Sequence, residues 1–318
     1  MTDISFTATS AALRRERLAI NPLSFVLEGS DLDLSRPRLH ASFEQIARAG
    51  YTAVHADVPP GFTVREYAEF IASYGLRPAP GYFGGFFDRL EERADVVEGA
   101  RRRAAEAAEL GVDALFIAQH MCDARRARPG IGVEASAERL AVMADGLAEA
   151  ADAARAEGVT VVLHPHVASW IETEPEVRGV LDRTHGSALM FGPDTGHLAF
   201  AGADPVALVA DYRDRVAGIH LKDLDSSAAT AVLRDGANYF DATRGYRIWA
   251  EPGTGDLDLA GVLAALPPGY GGWYVVEVDL PKHGTPFESA VLARENLLAE
   301  PYFAETPTAE APLTEDAR

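Results

Sequence analysis

Short runs of β-branched, aromatic and other apolar residues alternate along the chain with longer segments of helical apolar spacing. Such alternation is typical of strands that are each followed by a helix. The pattern predicts eight strands, at residues 18–25, 52–58, 77–84, 114–120, 159–166, 188–194, 217–224 and 273–280. It predicts helices that begin near Ser42, Thr63, Leu90, Ala135, Glu174, Asp204 and Asp258, with a last helix over residues 286–298.

Eight successive strand–helix units predict an α/β fold and, within that class, a parallel (β/α)8 TIM barrel. The chain has 318 residues, and such a barrel typically needs about 250. The alternative is an open doubly wound sheet, which usually carries a glycine-rich phosphate loop after its first strand. Here the first strand is followed by Val26-Leu27-Glu28-Gly29, without a GxGxxG or GxxxxGK[ST] motif.

The pattern divides the chain into an N-terminal extension at residues 1–17, a single barrel domain at 18–299 and an acidic tail at 300–318. One irregular insert, at about residues 226–256, interrupts the barrel and has few helix signals. Its aromatic residues are Tyr239, Phe240, Tyr246 and Trp249. Loops of this length in a compact domain usually serve a function, so we expect a lid over the substrate or a surface for a partner.

Charge and cysteine content exclude several classes of protein. The chain has 48 acidic and 29 basic residues, a formal net charge of −19 that argues against nucleic-acid binding. One cysteine, Cys122, allows neither an intramolecular disulfide nor a cysteine-rich zinc module. No run of 18 apolar residues predicts a membrane span, and residues 1–17 lack the apolar region of a signal peptide. We therefore expect a cytoplasmic protein that does not bind membranes.

Polar side chains collect where the predicted strands end, which is where TIM barrels build their active sites. They are His120 on strand four, His164 and His166 on five, Asp194 and His197 at six, His220 and Lys222 on seven, and Glu277 and Asp279 on eight. Residues two positions apart in a strand share a face, so the paired residues of strands five, seven and eight point the same way.

Burying several carboxylates and imidazoles together is costly unless a cation or a substrate pairs them. A mixed Asp, His and Glu set suits Mn²⁺, Co²⁺, Zn²⁺ or Fe²⁺ better than an all-oxygen cage for Mg²⁺ or Ca²⁺. Other chemistries have weaker support: Cys122 has no evident dyad partner, and no GxSxG elbow of a serine hydrolase occurs. His55, on strand two, is interpreted as a hydrogen-bonded structural residue.

Three strand-end motifs resemble those of the xylose isomerase-like barrels, a superfamily of sugar isomerases, epimerases, inosose dehydratases and endonuclease IV. The motifs are Gly192-Pro193-Asp194-Thr195-Gly196-His197, Ile219-His220-Leu221-Lys222-Asp223 and Val275-Val276-Glu277-Val278-Asp279. The likeness covers roughly residues 18–298, and further runs are most similar to the inosose dehydratase branch. These are Ser42-Phe43-Glu44-Gln45-Ile46, Leu163-His164-Pro165-His166, Ile171-Glu172-Thr173 and Pro252-Gly253-Thr254-Gly255-Asp256.

The resemblance implies one divalent metal held by four strand-end ligands, with Mn²⁺ expected and Co²⁺, Zn²⁺ or Mg²⁺ as alternatives. Asp194, His220 and Glu277 match three of these ligands. The fourth is normally a glutamate at the end of strand five, where this chain has His164. We assign the fourth ligand to Glu172, a few residues further on, with His164 as the alternative.

The resemblance also suggests roles for other residues near the strand ends. His164, His166 and Lys222 are the candidate catalytic residues, since imidazole can alternate between base and acid near neutral pH. The candidate substrate-binding residues are His120, His197 and Phe83, the last of them as part of an apolar wall.

The implied function is that of a metal-dependent lyase or isomerase acting on a keto-sugar or keto-cyclitol. The metal would stabilise the enediolate formed when the α-proton is removed, and a dehydratase would then eliminate hydroxide. The alternatives are a sugar isomerase or 3-epimerase, a subunit that cleaves 3-keto C-glycosides together with a small partner subunit, and a non-catalytic sugar-binding barrel. We expect a carbohydrate or glycoside substrate and a homo-oligomer, and the negative charge argues against the endonuclease IV branch.

Overall fold

The computed structural model describes residues 11–28 and 31–304. Parallel strands with intervening helices form a barrel, which confirms the predicted α/β fold and its (β/α)8 architecture. The strands are β1 (Leu18–Ile20), β2 (Leu27–Glu28), β3 (Asp31–Leu32), β4 (Ala53–His55), β5 (Arg77–Ala79), β6 (Tyr82–Gly85), β7 (Ala114–Gln119), β8 (Thr160–Leu163), β9 (Met190–Phe191), β10 (Gly218–Leu221), β11 (Asp223–Leu224), β12 (Trp249–Ala250) and β13 (Trp273–Val276).

Two parallel sheets make up the barrel wall. One has the strand order β10-β13-β1-β4-β5, and the other has the order β6-β7-β8-β9. The sheets are joined on one side by the chain itself, which runs from β5 directly into β6. On the other side, isolated parallel bridges pair Phe191 with Val216 and Asp194 with His220. These contacts close the wall, whose nine strands in the described part of the chain occupy eight positions because β5 and β6 are two parts of one position.

Helices cover the outside of this wall and also lie in the insert at the mouth of the barrel. They are α1 (Ala11–Glu16), α2 (Leu23–Val26), α3 (Arg36–Arg48), α4 (Val64–Ala72), α5 (Arg93–Glu109), α6 (Asp123–Ala127), α7 (Ala137–Ala156), α8 (Glu174–Arg183), α9 (Thr195–Phe200), α10 (Pro205–Asp211), α11 (Ser226–Asp235), α12 (Tyr239–Asp241), α13 (Leu259–Ala265) and α14 (Pro286–Ala299). Within the described residues, no helix combines the length and apolar character that crossing a membrane requires.

Side chains alternate along each strand between an outer and an inner core. Leu18, Ile20 and their equivalents point outward and pack beneath the helices. The inward positions form a second cluster around Phe116 and Trp273, where small residues such as Ala19 leave room for the two aromatic rings. Continuing the same alternation toward the C-terminal ends of the strands brings polar side chains into the mouth of the barrel.

The predicted third strand is divided into β5 and β6. β5 pairs with β4, whereas β6 pairs with β7. Between them, the Asp57 carboxylate accepts a 2.9 Å hydrogen bond from the Tyr82 amide. A side chain at Gly81 would collide with this carboxylate, so glycine is required at the break.

The structure has several helices that the sequence pattern did not predict, among them α1, α2, α6, α9 and α12. Two other differences have a clear physical reason. The helix expected near Ser42 begins at Arg36, because Pro37 is tolerated in a first turn. The insert, which has few helix signals, contains α11, where the Asp225 side chain accepts a hydrogen bond from the Ala228 amide. Gly236 ends this helix in the left-handed conformation, with φ of 65°.

The insert packs closely against the mouth of the barrel. Its strand β12 pairs with β11 in antiparallel fashion. Buried Tyr239 and Trp249 form an apolar cluster with Val167 and Phe200, which lie in the segments that follow strands β8 and β9. The insert therefore covers one side of the strand ends.

The chain termini are described only in part. Residues 1–10 of the predicted extension and 305–318 of the predicted tail lie outside the described residues. Within the predicted tail, Phe303 is fully buried and its ring centroid lies 5.1 Å from that of Tyr274. Residues 300–304 therefore pack on the barrel, while the division into extension, barrel and tail stays a prediction.

Candidate metal and substrate site

Imidazoles and carboxylates meet at the C-terminal ends of four barrel strands. Potential ligand atoms of Asp194, His220 and Glu277 all lie within 4.8 Å of one another. The same holds for those of His164, Asp194 and His197. The rings of His164 and His220 are 4.7 Å apart between centroids. Asp194 belongs to both groups, so the two form one cluster.

Several polar atoms of this cluster are buried without a hydrogen-bond partner among the described residues. They are His164 Nδ1, Asp194 Oδ2 and His220 Nε2, whereas His220 Nδ1 lies 3.0 Å from Glu277 Oε2. His164, Asp194 and His220 are at most 2% exposed, and an unpaired buried polar group costs about 1–3 kcal/mol. A cation would satisfy these atoms together, and their mixed imidazole and carboxylate character suits a borderline divalent ion. The residues therefore fit a divalent metal.

The protonation states of the carboxylates are also consistent with a cation. Burial raises the pKa of Asp194 to about 7, and the charge of Glu277 adds to this rise against the opposing charge of Lys222. Burial also acts to raise the pKa of Glu277, but Lys222 and His220 outweigh it and hold that pKa well below its usual range. A cation beside Asp194 would offset the repulsion between the two carboxylates.

His166 lies next to the cluster with a defined tautomer. Its Nδ1–H donates to the Val167 carbonyl at 2.6 Å, which leaves the Nε2 lone pair as the acceptor. Ring contacts with His197 at 4.0 Å and Tyr239 at 5.8 Å restrict its orientation. Burial and the charge of Lys222 lower the pKa of His166 to about 4, so the ring is neutral.

Lys222 is fully buried behind the cluster. Its ammonium contacts the carboxylates of Glu277 at 2.8 Å and Asp279 at 2.7 Å. Burial acts to lower the pKa of Lys222, but Asp279 and Glu277 outweigh it and hold that pKa well above its usual range. Lys222 is therefore a permanently charged group within this network.

A cavity of about 430 Å³ opens onto the cluster. His164, His166 and Glu277 line its polar side, together with His120, whose exposed ring lies against Gly84. The opposite side is apolar and is formed by Leu23, Val26, Leu32, Leu34 and Leu39. The cavity thus combines potential ligands and imidazoles with an apolar lobe.

A profile of the xylose isomerase-like TIM barrels matches residues 43–298, which is most of the chain. The chain belongs to the xylose isomerase-like TIM barrel family. This confirms the resemblance inferred from the strand-end motifs.

Among curated proteins, this family member is 32% identical over 160 residues to the inosose dehydratase of Geobacillus thermodenitrificans (strain NG80-2). The match covers 50% of this chain and 53% of the relative. The inosose dehydratase of Lacticaseibacillus casei is 32% identical over 162 residues, covering 50% of this chain and 53% of the relative. The chain therefore spans about half the length of the curated relatives that it matches.

Solved structures share the fold at lower identity. L-ribulose 3-epimerase has a TM-score of 0.64 and 18% identity, over 88% of this chain and 93% of that one. The IolI protein, whose crystal structure has a binding zinc atom, has a TM-score of 0.64 and 17% identity, over 89% of this chain and 96% of that one. These matches establish the fold of this family member.

The expected fourth ligand, Glu172, lies outside the cluster in this xylose isomerase-like barrel. Its carboxylate pairs with Arg125 at 3.0 Å and is fully buried. It also accepts hydrogen bonds from the backbone amides of Gly130, Gly132 and Ala168. With every part of this carboxylate engaged, Glu172 does not swing toward Asp194, and the assignment of Glu172 as a ligand is corrected. His164 lies at the cluster instead.

Phe83 is also placed differently from the expectation. It packs on the outer face of the wall, where its ring contacts Gly99 of α5. Its neighbour Tyr82 points inward and lines the cavity. Adjacent residues of β6 face opposite sides of the wall, so Tyr82 faces the cavity where Phe83 was expected. The structure therefore places Tyr82, and not Phe83, on the cavity.

Two further expectations change because of burial. His197 is 1% exposed and contacts Lys222 and Trp249 instead of lining the cavity. It therefore packs beside the cluster, away from the cavity lining. Lys222 likewise does not reach the cavity wall. By contrast, His120, His164 and His166 line the cavity, and their catalytic and substrate-binding roles stay predictions.

Sequence reasoning missed Asn21 and treated Asp279 only as a member of a strand-end pair. Asn21 follows β1 and hydrogen-bonds Glu277. Asp279 pairs with Lys222. A signal for Asn21 was present, since a polar residue directly after the apolar run Leu18–Ile20 stands at a strand end like the others.

Proposed function

We propose that this chain is a divalent-metal-dependent lyase or isomerase that acts on a keto-sugar or keto-cyclitol. The observation that carries the proposal is the cluster of His164, Asp194 and His220, in which the buried atoms His164 Nδ1, Asp194 Oδ2 and His220 Nε2 lack hydrogen-bond partners among the described residues. The matched inosose dehydratases support a carbohydrate substrate with a carbonyl group. The reaction begins with removal of the proton next to that carbonyl.

His164, Asp194, His220 and Glu277 would hold the metal, and Mn²⁺ is the ion that we expect. When bound, a divalent ion polarises a carbonyl as a Lewis acid and makes the adjacent C–H more acidic. His164 takes the fourth position because it lies beside Asp194, whereas the carboxylate of Glu172 is already engaged.

His166 is the proposed base. The Val167 carbonyl holds the proton on Nδ1, so Nε2 carries the lone pair that can accept the α-proton. The ring lines the cavity, and its contacts with His197 and Tyr239 keep it in one orientation. An imidazole held in one orientation and neutral at about pH 7 has a free lone pair with which to accept a proton.

His120 is the proposed acid. It is exposed at the cavity and can therefore exchange protons with solvent. Its ring packs edge-on against Phe86, at 4.7 Å between centroids, which directs it without burying it. In a β-elimination, His166 takes the α-proton, a carbon–carbon double bond forms, and His120 protonates the departing oxygen.

The apolar lobe of the cavity favours a second candidate function. Leu23, Val26 and Leu39 offer an apolar surface for which a free keto-cyclitol has no matching group. An oxidised glycoside with an aromatic aglycone would bury its sugar at the imidazoles and its aglycone at the leucines. Cleavage of such a 3-keto C-glycoside, with a small partner subunit, is therefore the second candidate.

Assays with two substrates distinguish these reactions. The Mn²⁺-loaded protein is incubated in deuterated water with an inosose or with a 3-keto aryl C-glucoside. Loss of water from the inosose supports the dehydratase, and release of the aglycone supports the second candidate. Deuterium incorporation without either loss supports an isomerase or 3-epimerase. Asp194→Ala is the control that should bind less metal and lose every activity.

The opposite outcome defines a non-catalytic sugar-binding barrel. A metal-loaded protein that exchanges no proton and converts neither substrate would contradict the enzymatic proposal. The cytoplasmic location, the homo-oligomer and the small second subunit stay predictions, and the mass of the purified particle in solution tests the latter two.

A further inference from the structure

Three potential metal ligands surround the ammonium group of Lys222. Its Nζ lies 2.8 Å from Glu277 Oε1, 2.7 Å from Asp279 Oδ1 and 3.3 Å from His197 Nε2. Lys222 is fully buried, and each of the three partners is less than a tenth exposed. The ammonium group donates hydrogen bonds to the two carboxylates, and His197 Nε2 is its third close neighbour.

Glu277 connects this position with the proposed metal site. Its Oε1 contacts Lys222, while its Oε2 lies 3.0 Å from His220 Nδ1. In two-metal sites the ions lie about 3.5–4 Å apart, a spacing that one carboxylate can bridge by presenting one oxygen to each ion. Glu277 has the arrangement of such a bridge. Its Oε1 faces the ammonium of Lys222, and its Oε2 faces the side of the proposed metal.

The groups around Lys222 Nζ are those of a metal site. One imidazole and two carboxylates form the same kind of donor set as His220, Asp194 and Glu277, and suit the same borderline ions. We propose that Lys222 is a tethered cation in the second metal position of a two-cation site. Replacing it by a small residue opens that position to a divalent ion held by His197, Glu277 and Asp279. The inference rests on the proposed function, because Glu277 is shared.

The packing around Lys222 supports this assignment. Its aliphatic stem passes directly over Gly196, where any side chain would collide with it. The face of Trp249 lies behind the ammonium, 4.7 Å from Nζ to the ring centroid. Gly196 and Trp249 together hold the ammonium of Lys222 at one position. Lys222 is accordingly a positioning residue that confines a metal to one side of Glu277, and it is not an acid or base for the substrate.

The test is the Mn²⁺ stoichiometry of the Lys222→Ala variant, measured by equilibrium dialysis with Mn²⁺ alone. We expect about one ion per chain for the unchanged protein and about two for the variant. Two ions bridged by Glu277 should also give the electron paramagnetic resonance spectrum of a coupled manganese pair. Adding Asp279→Asn to the variant should return the stoichiometry to about one.

Two control variants keep the test specific. Lys222→Arg retains the cation and should bind no additional Mn²⁺. Lys282→Ala removes a lysine that pairs with Asp225 outside the cluster, and it should also leave the stoichiometry unchanged. A gain of Mn²⁺ in either control would overturn the proposal, because the effect would not depend on emptying the position of Lys222 Nζ.

The outcomes separate this inference from the proposed function. A folded Lys222→Ala variant that binds no more Mn²⁺ than the unchanged protein overturns the inference and leaves the first metal site intact. If Lys222→Ala binds Mn²⁺ and the unchanged protein binds none, the result supports the inference and overturns the proposed metal site. Lys222→Ser is the second variant, and Mn²⁺ should raise the melting temperature of either variant. Two variants that stay unfolded with Mn²⁺ overturn the inference.

Discussion

The side-chain amide of Asn21 donates a 2.7 Å hydrogen bond to Glu277 Oε2. Asn21 directly follows β1, whose Ile20 pairs with Val276 of β13, so the register of the barrel brings the two side chains together. The amide oxygen of Asn21 accepts a hydrogen bond from the Leu23 amide at 3.1 Å, which fixes the orientation of the group. Asn21 therefore orients one of the proposed metal ligands.

Asn21→Ala should weaken Mn²⁺ binding about 10–100-fold, the usual loss when a group that orients a ligand is removed. Isothermal titration calorimetry measures the change. Asn296→Ala is the matched control, because the Asn296 amide bonds the Pro252 carbonyl instead of Glu277. Equal affinities for the unchanged protein and Asn21→Ala would show that Glu277 does not need this hydrogen bond.

Leu32→Ser tests the apolar lobe of the cavity. Leu32 is 50% exposed, so its replacement should leave folding intact. If an aglycone binds against this residue, kcat/KM for the aryl glycoside should fall about 10-fold or more, because apolar contact is lost. The kcat/KM for an inosose should stay the same. Equal effects on both substrates would argue that the lobe does not select an aglycone.

Arg125→Ala tests the buried network that engages Glu172. Arg125 is 1% exposed and pairs with Glu172 at 3.0 Å and Glu176 at 2.6 Å. Removing it leaves two buried carboxylates without their cation, so the free energy of unfolding should fall by about 3–5 kcal/mol. Arg126→Ala, which removes an exposed ion pair on the same helix, should cost less than about 1 kcal/mol. Urea denaturation distinguishes the two variants.

Acidification should remove a stabilising contribution of Asp225, the residue that precedes α11 of the insert. The hydrogen bond from Lys282, together with those from Ser227 and the Ala228 amide, lowers the pKa of Asp225 below its ordinary 3.8. A pKa that is lower in the folded state stabilises the fold at pH values above 3.8, and this contribution is lost as the pH falls through the lowered pKa. Asp225→Asn should therefore lose less stability than the unchanged protein between about pH 5 and pH 2 in urea titrations. If the stability of the two proteins falls equally with pH, Asp225 does not make this contribution.

The hydrophobic pattern was sufficient to predict the barrel and most of the cluster. Inward and outward positions alternate with a period of two, so Asp194, His220 and Glu277 could be placed at strand ends on the inner face. Parallel strands of a closed barrel all end at the same rim, so side chains that are distant in the sequence converge there. Both arguments depend only on local periodicity and on the number of strands.

The tertiary structure decided which partner each polar side chain has. Arg125 lies 47 residues before Glu172 and occupies its carboxylate, and Asp279 lies 57 residues after Lys222 and holds its ammonium. Nothing near Glu172 or Lys222 in the sequence indicates these pairings, because the loops that create them meet only when the barrel closes. The sequence alone determined that imidazoles and carboxylates gather at the mouth. Long-range packing decided that His164 stands beside Asp194 and that a lysine fills the neighbouring cation position.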